Sequence, residues 1–115
     1  MRRGEIRLVD LDPVRGSEAD KRRPAIVVSN DRANAAAERL ERGVVTVVPL
    51  TSSTTRIFPF QVLVAASQSG LRVDSKAQAE QVRSVAVGRL GPALGRLSAP
   101  IMGKIDDALR LHLGL

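Results

Sequence analysis

Cysteine is absent from this 115-residue chain, so disulfides, thiolate metal ligands and a cysteine nucleophile are all excluded. Tryptophan and tyrosine are absent as well, and the aromatic side chains are Phe58 and Phe60 alone. A platform of several stacking rings, as many single-strand binders use, cannot be assembled from them. The one histidine, His112, falls within an apolar helical stripe, where packing at a core or a subunit boundary is the simpler reading. Serine–histidine–aspartate and paired-histidine mechanisms need an imidazole beside the reacting group, so this placement argues against both. The sequence has no HExxH, GxxxxGK[ST] or GxGxxG, which leaves metalloprotease, nucleotide-hydrolase and dinucleotide readings without a motif. No apolar run approaches the length needed to cross a bilayer, and the basic start Met1-Arg2-Arg3-Gly4-Glu5-Ile6 lacks the apolar segment of a signal peptide. The expectation is a soluble cytoplasmic protein with no membrane association.

Positive charge, by contrast, is abundant. Eighteen lysines and arginines against twelve acidic residues give +6, which favours polyanionic partners: nucleic acid or an acidic protein segment. A basic solvated surface would have the same composition, so charge alone does not decide. At this length the chain is expected to form a single domain over residues 1–115, in which any site shares one scaffold with the core.

Glu5 to Leu11 alternates enough for a half-buried strand, broken by Asp12-Pro13. Ala25 to Ser29 is a short β-branched run suited to a buried strand, and Val44 to Leu50 is the strongest strand in the chain, with Pro49 placing its end near a sheet edge. Phe60 to Val64 reads as another strand and Ser67 to Gly70 as a turn. Arg72 to Ala86 fits one or two strands divided at Glu80-Gln81. Residues 31–43 carry no clear pattern. The last segment reads as a helix, with Ser98 as cap, Pro100 in the first turn, and Ile101, Ile105, Ala108, Leu109 and His112 on one face. Short strands, polar loops and one terminal helix indicate a β-rich barrel or an α+β domain.

Chemistry concentrates in two loops. Arg15 to Pro24 is polar and leads straight into an apolar strand; Pro24 holds Arg23 extended, so that its guanidinium sits on a rigid segment at the rim of a sheet. Thr51, Ser52 and Ser53 follow the other strong strand. If the strands beginning at Pro24 and ending at Leu50 pair antiparallel, Arg23 and Thr51 emerge at the same edge.

Taken together, Arg3-Gly4-Glu5-Ile6, Asp10-Leu11-Asp12-Pro13, Gly16-Ser17-Glu18, Arg23-Pro24-Ala25-Ile26-Val27-Val28-Ser29, Val48-Pro49-Leu50-Thr51-Ser52 and Glu80-Gln81-Val82-Arg83-Ser84 resemble the MazF/PemK family of toxin endoribonucleases. The resemblance runs from Arg2 to the terminal helix. It implies a mainly β, CcdB-like and SH3-like barrel with appended helices, a homodimer, and metal-independent cleavage of single-stranded RNA with no cofactor. It also implies a cognate antitoxin whose acidic tail occupies the RNA groove. Carried over by position, Arg23 and Thr51 match the family's catalytic arginine and threonine, and Gly16-Ser17-Glu18 matches a loop that contacts RNA and shapes the site. Gln81 matches a base-contacting residue and Arg83 a backbone contact or structural pair. Two departures stand out: the first strand lacks the frequent aromatic, and Arg22 occupies a position where some relatives have histidine.

On this reading Arg23 stabilises charge on the non-bridging phosphate oxygens, Thr51 fixes the phosphate for attack by the ribose 2′-hydroxyl, and Glu18 is the nearest carboxylate for the base. Lys21, Arg22, Arg56, Lys76 and Arg83 are candidate phosphate contacts, and Ser17 and Ser52 candidate RNA contacts. Each of these cations is equally compatible with an ordinary surface charge. Two other functions stay open: a gyrase-poisoning toxin of the CcdB type, although the carboxy-terminal Trp-Gly-Ile of those proteins is replaced by Leu113-Gly114-Leu115, and a non-catalytic nucleic-acid-binding module.

Overall fold

The computed structural model describes residues 1–11 and 22–115. The elements are β1 (Glu5–Asp10), β2 (Arg22–Val27), α1 (Asp31–Leu40), β3 (Val44–Thr51), β4 (Gln61–Val64), α2 (Ala66–Ser69), β5 (Ser75–Gln78), β6 (Arg83–Ala86), β7 (Leu90–Arg96) and α3 (Ala99–Leu113). Short 3-10 turns at Ala79–Gln81 and Val87–Arg89 bracket β6. The seven strands form one antiparallel sheet in the order β4-β5-β3-β2-β1-β7, with β6 also pairing β3.

Two apolar clusters sandwich the central strands, and this explains why β2 and β3 read as continuous β-branched runs rather than alternating ones. On one face Ile6, Ile26, Val48, Leu50, Val62 and Val64 pack with Ile101, Met102, Ile105 and Ala108 of α3. On the other, Val9, Ala25, Val27, Val45, Val47 and Val85 pack with Ala37 of α1. Each fully buried aliphatic side chain contributes about 1.5–3 kcal/mol.

The fold is mixed α+β, as the sequence pattern indicates, but the sheet is not closed: within the described residues β4 and β7 end the strand order without pairing to each other. The expected barrel is therefore an open sheet within the described residues. Helix α3 packs Ile101, Met102, Ile105 and Ala108 into the cluster on one of the sheet's faces.

Pro49 corrects a second expectation, because β3 is the centre of the sheet and not near an edge. The strand pairs β2 on one side, and on the other pairs β6 through Val44–Val47 and then β5 at Leu50 and Thr51. Thr46 accepts the Val28 N–H on the β2 side. Alternation along the strand then turns the Pro49 nitrogen to the opposite side, at the changeover from β6 to β5, where no ladder bond is required of it.

Residues 31–43 hold a ten-residue helix capped by Asn30, whose side chain accepts the Ala33 N–H at 2.8 Å. That helix is tied to the sheet by buried Asn34, which donates to the Ser29 carbonyl at 2.8 Å, while the Ser29 hydroxyl donates to Asn34 and accepts the Thr46 N–H at 3.0 Å. At the other end of the chain His112 is exposed, on the turn of α3 beyond the buried Ile105 and Ala108, with its ring 6.5 Å from that of Phe60. The apolar stripe of α3 instead ends at half-buried Leu109, and Met102 joins it.

Candidate functional site

Arg23 lies within β2, one residue into the strand, rather than on the preceding loop. It pairs in register with Val9 of β1. On its other side the β2–β3 register runs Val27–Val47, Ile26–Val48 and Ala25–Pro49. The ladder ends there; continued two steps, the same antiparallel register would bring Arg23 toward Thr51. Both border a cavity of about 380 Å³ whose other lining residues are Pro24, Leu50, Ser52, Leu71, Arg72, Val73 and Ser75.

The electrostatics of this cavity are one-sided. Two guanidiniums and the hydroxyls of Thr51, Ser52 and Ser75 line it, and no described carboxylate does. A guanidinium keeps its charge across the physiological range and offers a planar fork of donors matched to phosphate. The exposed Arg23 side chain makes no hydrogen bond or ion pair with a described residue. The Thr51 hydroxyl oxygen accepts the Ser53 N–H at 3.3 Å, which orients the hydroxyl and leaves its proton to donate outward.

A second cavity, about 300 Å³, adjoins the first through Arg23 and is lined by Leu11, Pro49, Gln78, Gln81 and Arg83. Arg23 thus stands between an anion-favouring pocket and one furnished with two carboxamides, groups that both donate to and accept from a base edge.

The sequence-derived residues divide accordingly. Arg23, Thr51 and Ser52 come together in the first cavity, and Gln81 and Arg83 join Arg23 in the second. Arg22 is exposed at the start of β2, opposite Asp10 in register. Arg56 and Lys76 go elsewhere. Lys76 is buried, donating to the Arg56 carbonyl at 2.7 Å and lying 6.0 Å from the Phe58 ring centre, while the Arg56 guanidinium stacks over the same ring at 5.3 Å. Their cations hold the 51–60 segment together; neither side chain lines either cavity. Glu18, Ser17 and Lys21 lie outside the described residues. Sequence reasoning passed over Arg72, Ser75 and Gln78; a basic residue in a turn bounded by Gly70 and Asp74 was the available signal for the first.

Residues 2–113 match the family described as the PemK-like, MazF-like toxin of type II toxin-antitoxin systems. The chain is 63% identical over 115 residues to the endoribonuclease MazF9 of Mycobacterium tuberculosis, covering 100% of this chain and 98% of that protein. It is 34% identical to an endoribonuclease MazF of Staphylococcus saprophyticus, covering 100% and 92% respectively. Among solved structures it is similar to a mycobacterial endoribonuclease in complex with its cognate antitoxin, with a TM-score of 0.74 and 30% identity over 100% of this chain and 96% of that one. The chain belongs to the PemK-like, MazF-like family of type II toxin–antitoxin toxins.

Proposed function

We propose that this chain, as one toxin domain over residues 1–115, is a metal-independent, sequence-specific endoribonuclease that cleaves single-stranded RNA. The observation that carries the reading is the Arg23–Thr51 pair, carried on adjacent antiparallel strands and bordering one cavity free of described acidic side chains, in a chain 63% identical to an endoribonuclease.

The chemistry follows from those groups. The ribose 2′-oxygen attacks the adjacent phosphorus, its proton passing to a base. The bond from phosphorus to the 5′-oxygen breaks, and that oxygen leaves with a proton, giving 2′,3′-cyclic phosphate and 5′-hydroxyl ends. Arg23 neutralises the charge that builds on the non-bridging oxygens, the term that most often dominates such sites. Thr51 donates to the same phosphate and holds it in line with the attacking oxygen. Glu18 is assigned the base from its place in the sequence, five residues before Arg23. DNA is refused because it lacks the nucleophile. Gln81 and Arg83 bind the RNA beyond the scissile bond, Gln81 at a base edge and Arg83 at the backbone.

The partners follow from the family and from charge. A net charge of +6 and a cavity lined by cations suit an acidic antitoxin segment that competes with RNA. The mycobacterial structure solved with its cognate antitoxin supports that partner, and a homodimer acting in the cytoplasm is what the family resemblance implies. No helix among the described residues is long and apolar enough to cross a membrane.

Incubating purified protein with unstructured RNA in excess EDTA tests the reading. Fragments ending in cyclic phosphate are expected. Intact RNA together with inhibition of DNA supercoiling would replace the nuclease with a gyrase poison.

A further inference from the structure

We propose that Arg72 is a second phosphate-binding residue, holding the phosphate next to the scissile one in the cavity that Arg23 and Thr51 border. This rests on the reading of the chain as an RNA-cleaving toxin and adds a residue to its substrate site.

Arg72 lines the same cavity as Arg23, is exposed, and makes no hydrogen bond or ion pair among the described residues. Its nearest acidic neighbour in sequence, Asp74, is already engaged, accepting the Ala66 N–H at 2.8 Å at the start of α2. The segment carrying Arg72 is anchored at both ends. Asp74 ties one end to α2, and the Leu71 N–H donates to the hydroxyl of buried Ser69 at 3.1 Å at the other. Gly70, at φ +78°, turns the chain between them, and a Cβ there would come 2.8 Å from the Leu94 carbonyl oxygen, so α2 sits hard against β7. Arg72 is therefore a permanent cation on a fixed turn, facing an anion-favouring cavity with its donors uncommitted.

A phosphate is the ligand this arrangement suits. A guanidinium with no described acidic side chain beside it in the cavity gains most from a fully charged oxyanion. A polyanion gripped at Arg23 must pass the cavity wall, and Leu71 and Val73 flanking Arg72 supply no competing hydrogen bond. As a contact to a phosphate other than the scissile one, Arg72 would bind ground state and transition state alike, contributing affinity rather than rate. Contacts to phosphate are sequence-independent, so the effect should not depend on the RNA sequence used.

The test measures binding of a short fluorescein-labelled RNA of mixed sequence, 2′-O-methylated throughout so that it cannot be cut, to wild-type protein and to Arg72→Ala, Arg72→Lys and Arg110→Ala across a salt series. Single-turnover cleavage of the unmodified RNA is measured in parallel. Arg110, paired with Asp107 on α3, controls for loss of any one surface cation. Arg72→Ala should weaken binding roughly tenfold at low salt, lower the slope of log affinity against log salt by about 0.7, and leave the rate at saturating protein unchanged. Arg72→Lys should restore most of the slope. Affinity and slope equal to wild type in Arg72→Ala, or a lower saturating rate with an unchanged slope, would overturn the assignment while leaving the nuclease reading intact. Wild-type protein that neither binds nor cuts RNA would remove both.

Discussion

Arg23 and Thr51 line one cavity, each two residues beyond the end of the β2–β3 ladder at Ala25 and Pro49. Both sit on strands, β2 and β3, that are buried on both faces. A donor pair fixed in this way needs no reorganisation when a phosphate enters, which is what makes preorganised donors effective in catalysis.

Because the Lys76 ammonium is spent on the Arg56 carbonyl beneath Phe58, it should act on stability and not on RNA. Lys76→Met is expected to lower the melting temperature while leaving the salt slope of RNA binding at its wild-type value. A slope smaller by about 0.7, one single-strand phosphate contact, would place Lys76 against the ligand after all.

Asn34 is fully buried, and its side chain joins α1 to Ser29 and, through the Ser29 hydroxyl, to β3. Asn34→Ala leaves buried polar groups without partners and should cost about 1–3 kcal/mol in urea unfolding. The cleavage rate per folded molecule should not change, since α1 borders neither cavity containing Arg23.

Gly95 has no room for a side chain: a Cβ would meet the Ser69 carbonyl oxygen at 2.0 Å. Gly95→Ala must push α2 away from β7 and should destabilise by about 2–3 kcal/mol, the upper part of the usual single-substitution range. Since α2 anchors the turn bearing Arg72, RNA affinity should weaken with it. Wild-type stability in this variant would show that the contact yields freely.

Glu5 provides the pH dependence. Burial raises its pKa, but the Arg2 N–H at 2.8 Å and the Arg7 guanidinium at 3.0 Å outweigh burial and leave it below the ordinary 4.5. A depressed folded value means that Glu5 stabilises the fold above pH 4.5 and that this contribution disappears as pH falls through the lower folded value. Glu5→Gln should therefore be less stable than wild type at neutral pH, with the difference shrinking to nothing in acid. An unchanged difference at both ends would assign the loss to packing.

Much of this was legible in the residues because local patterns coincided with tertiary roles. The runs at Ala25 and Val44 gave the central strands, which pair antiparallel as expected, and Arg23 and Thr51 line one cavity beyond the end of that ladder. The division at Glu80-Gln81 appeared as a 3-10 turn between β5 and β6. What was hidden had physical causes. Strand β7, Leu-Gly-Pro-Ala-Leu-Gly-Arg, looks like a turn because its glycines serve close backbone approaches, Gly91 to Leu8 and Gly95 to Ser69, rather than flexibility. Helix α1 is short and mostly exposed, with Asn34 as one of its two buried residues, so hydrophobic periodicity was faint. Pro49 suggested an edge because a change of partner strand within one ladder leaves no trace in sequence. Lys76 looked like a surface cation because its acceptor is a backbone carbonyl twenty residues away.

The most direct test is single-turnover cleavage of an RNA oligonucleotide by Arg23→Ala, Thr51→Ala and the double variant, each verified as folded and used at saturating concentration. Each single substitution should slow cleavage by about 10²–10³-fold, the usual effect of removing one oxyanion donor. The double variant should lose less than the product of the two, because the groups serve one phosphate. Wild-type cleavage by folded Arg23→Ala would contradict the account.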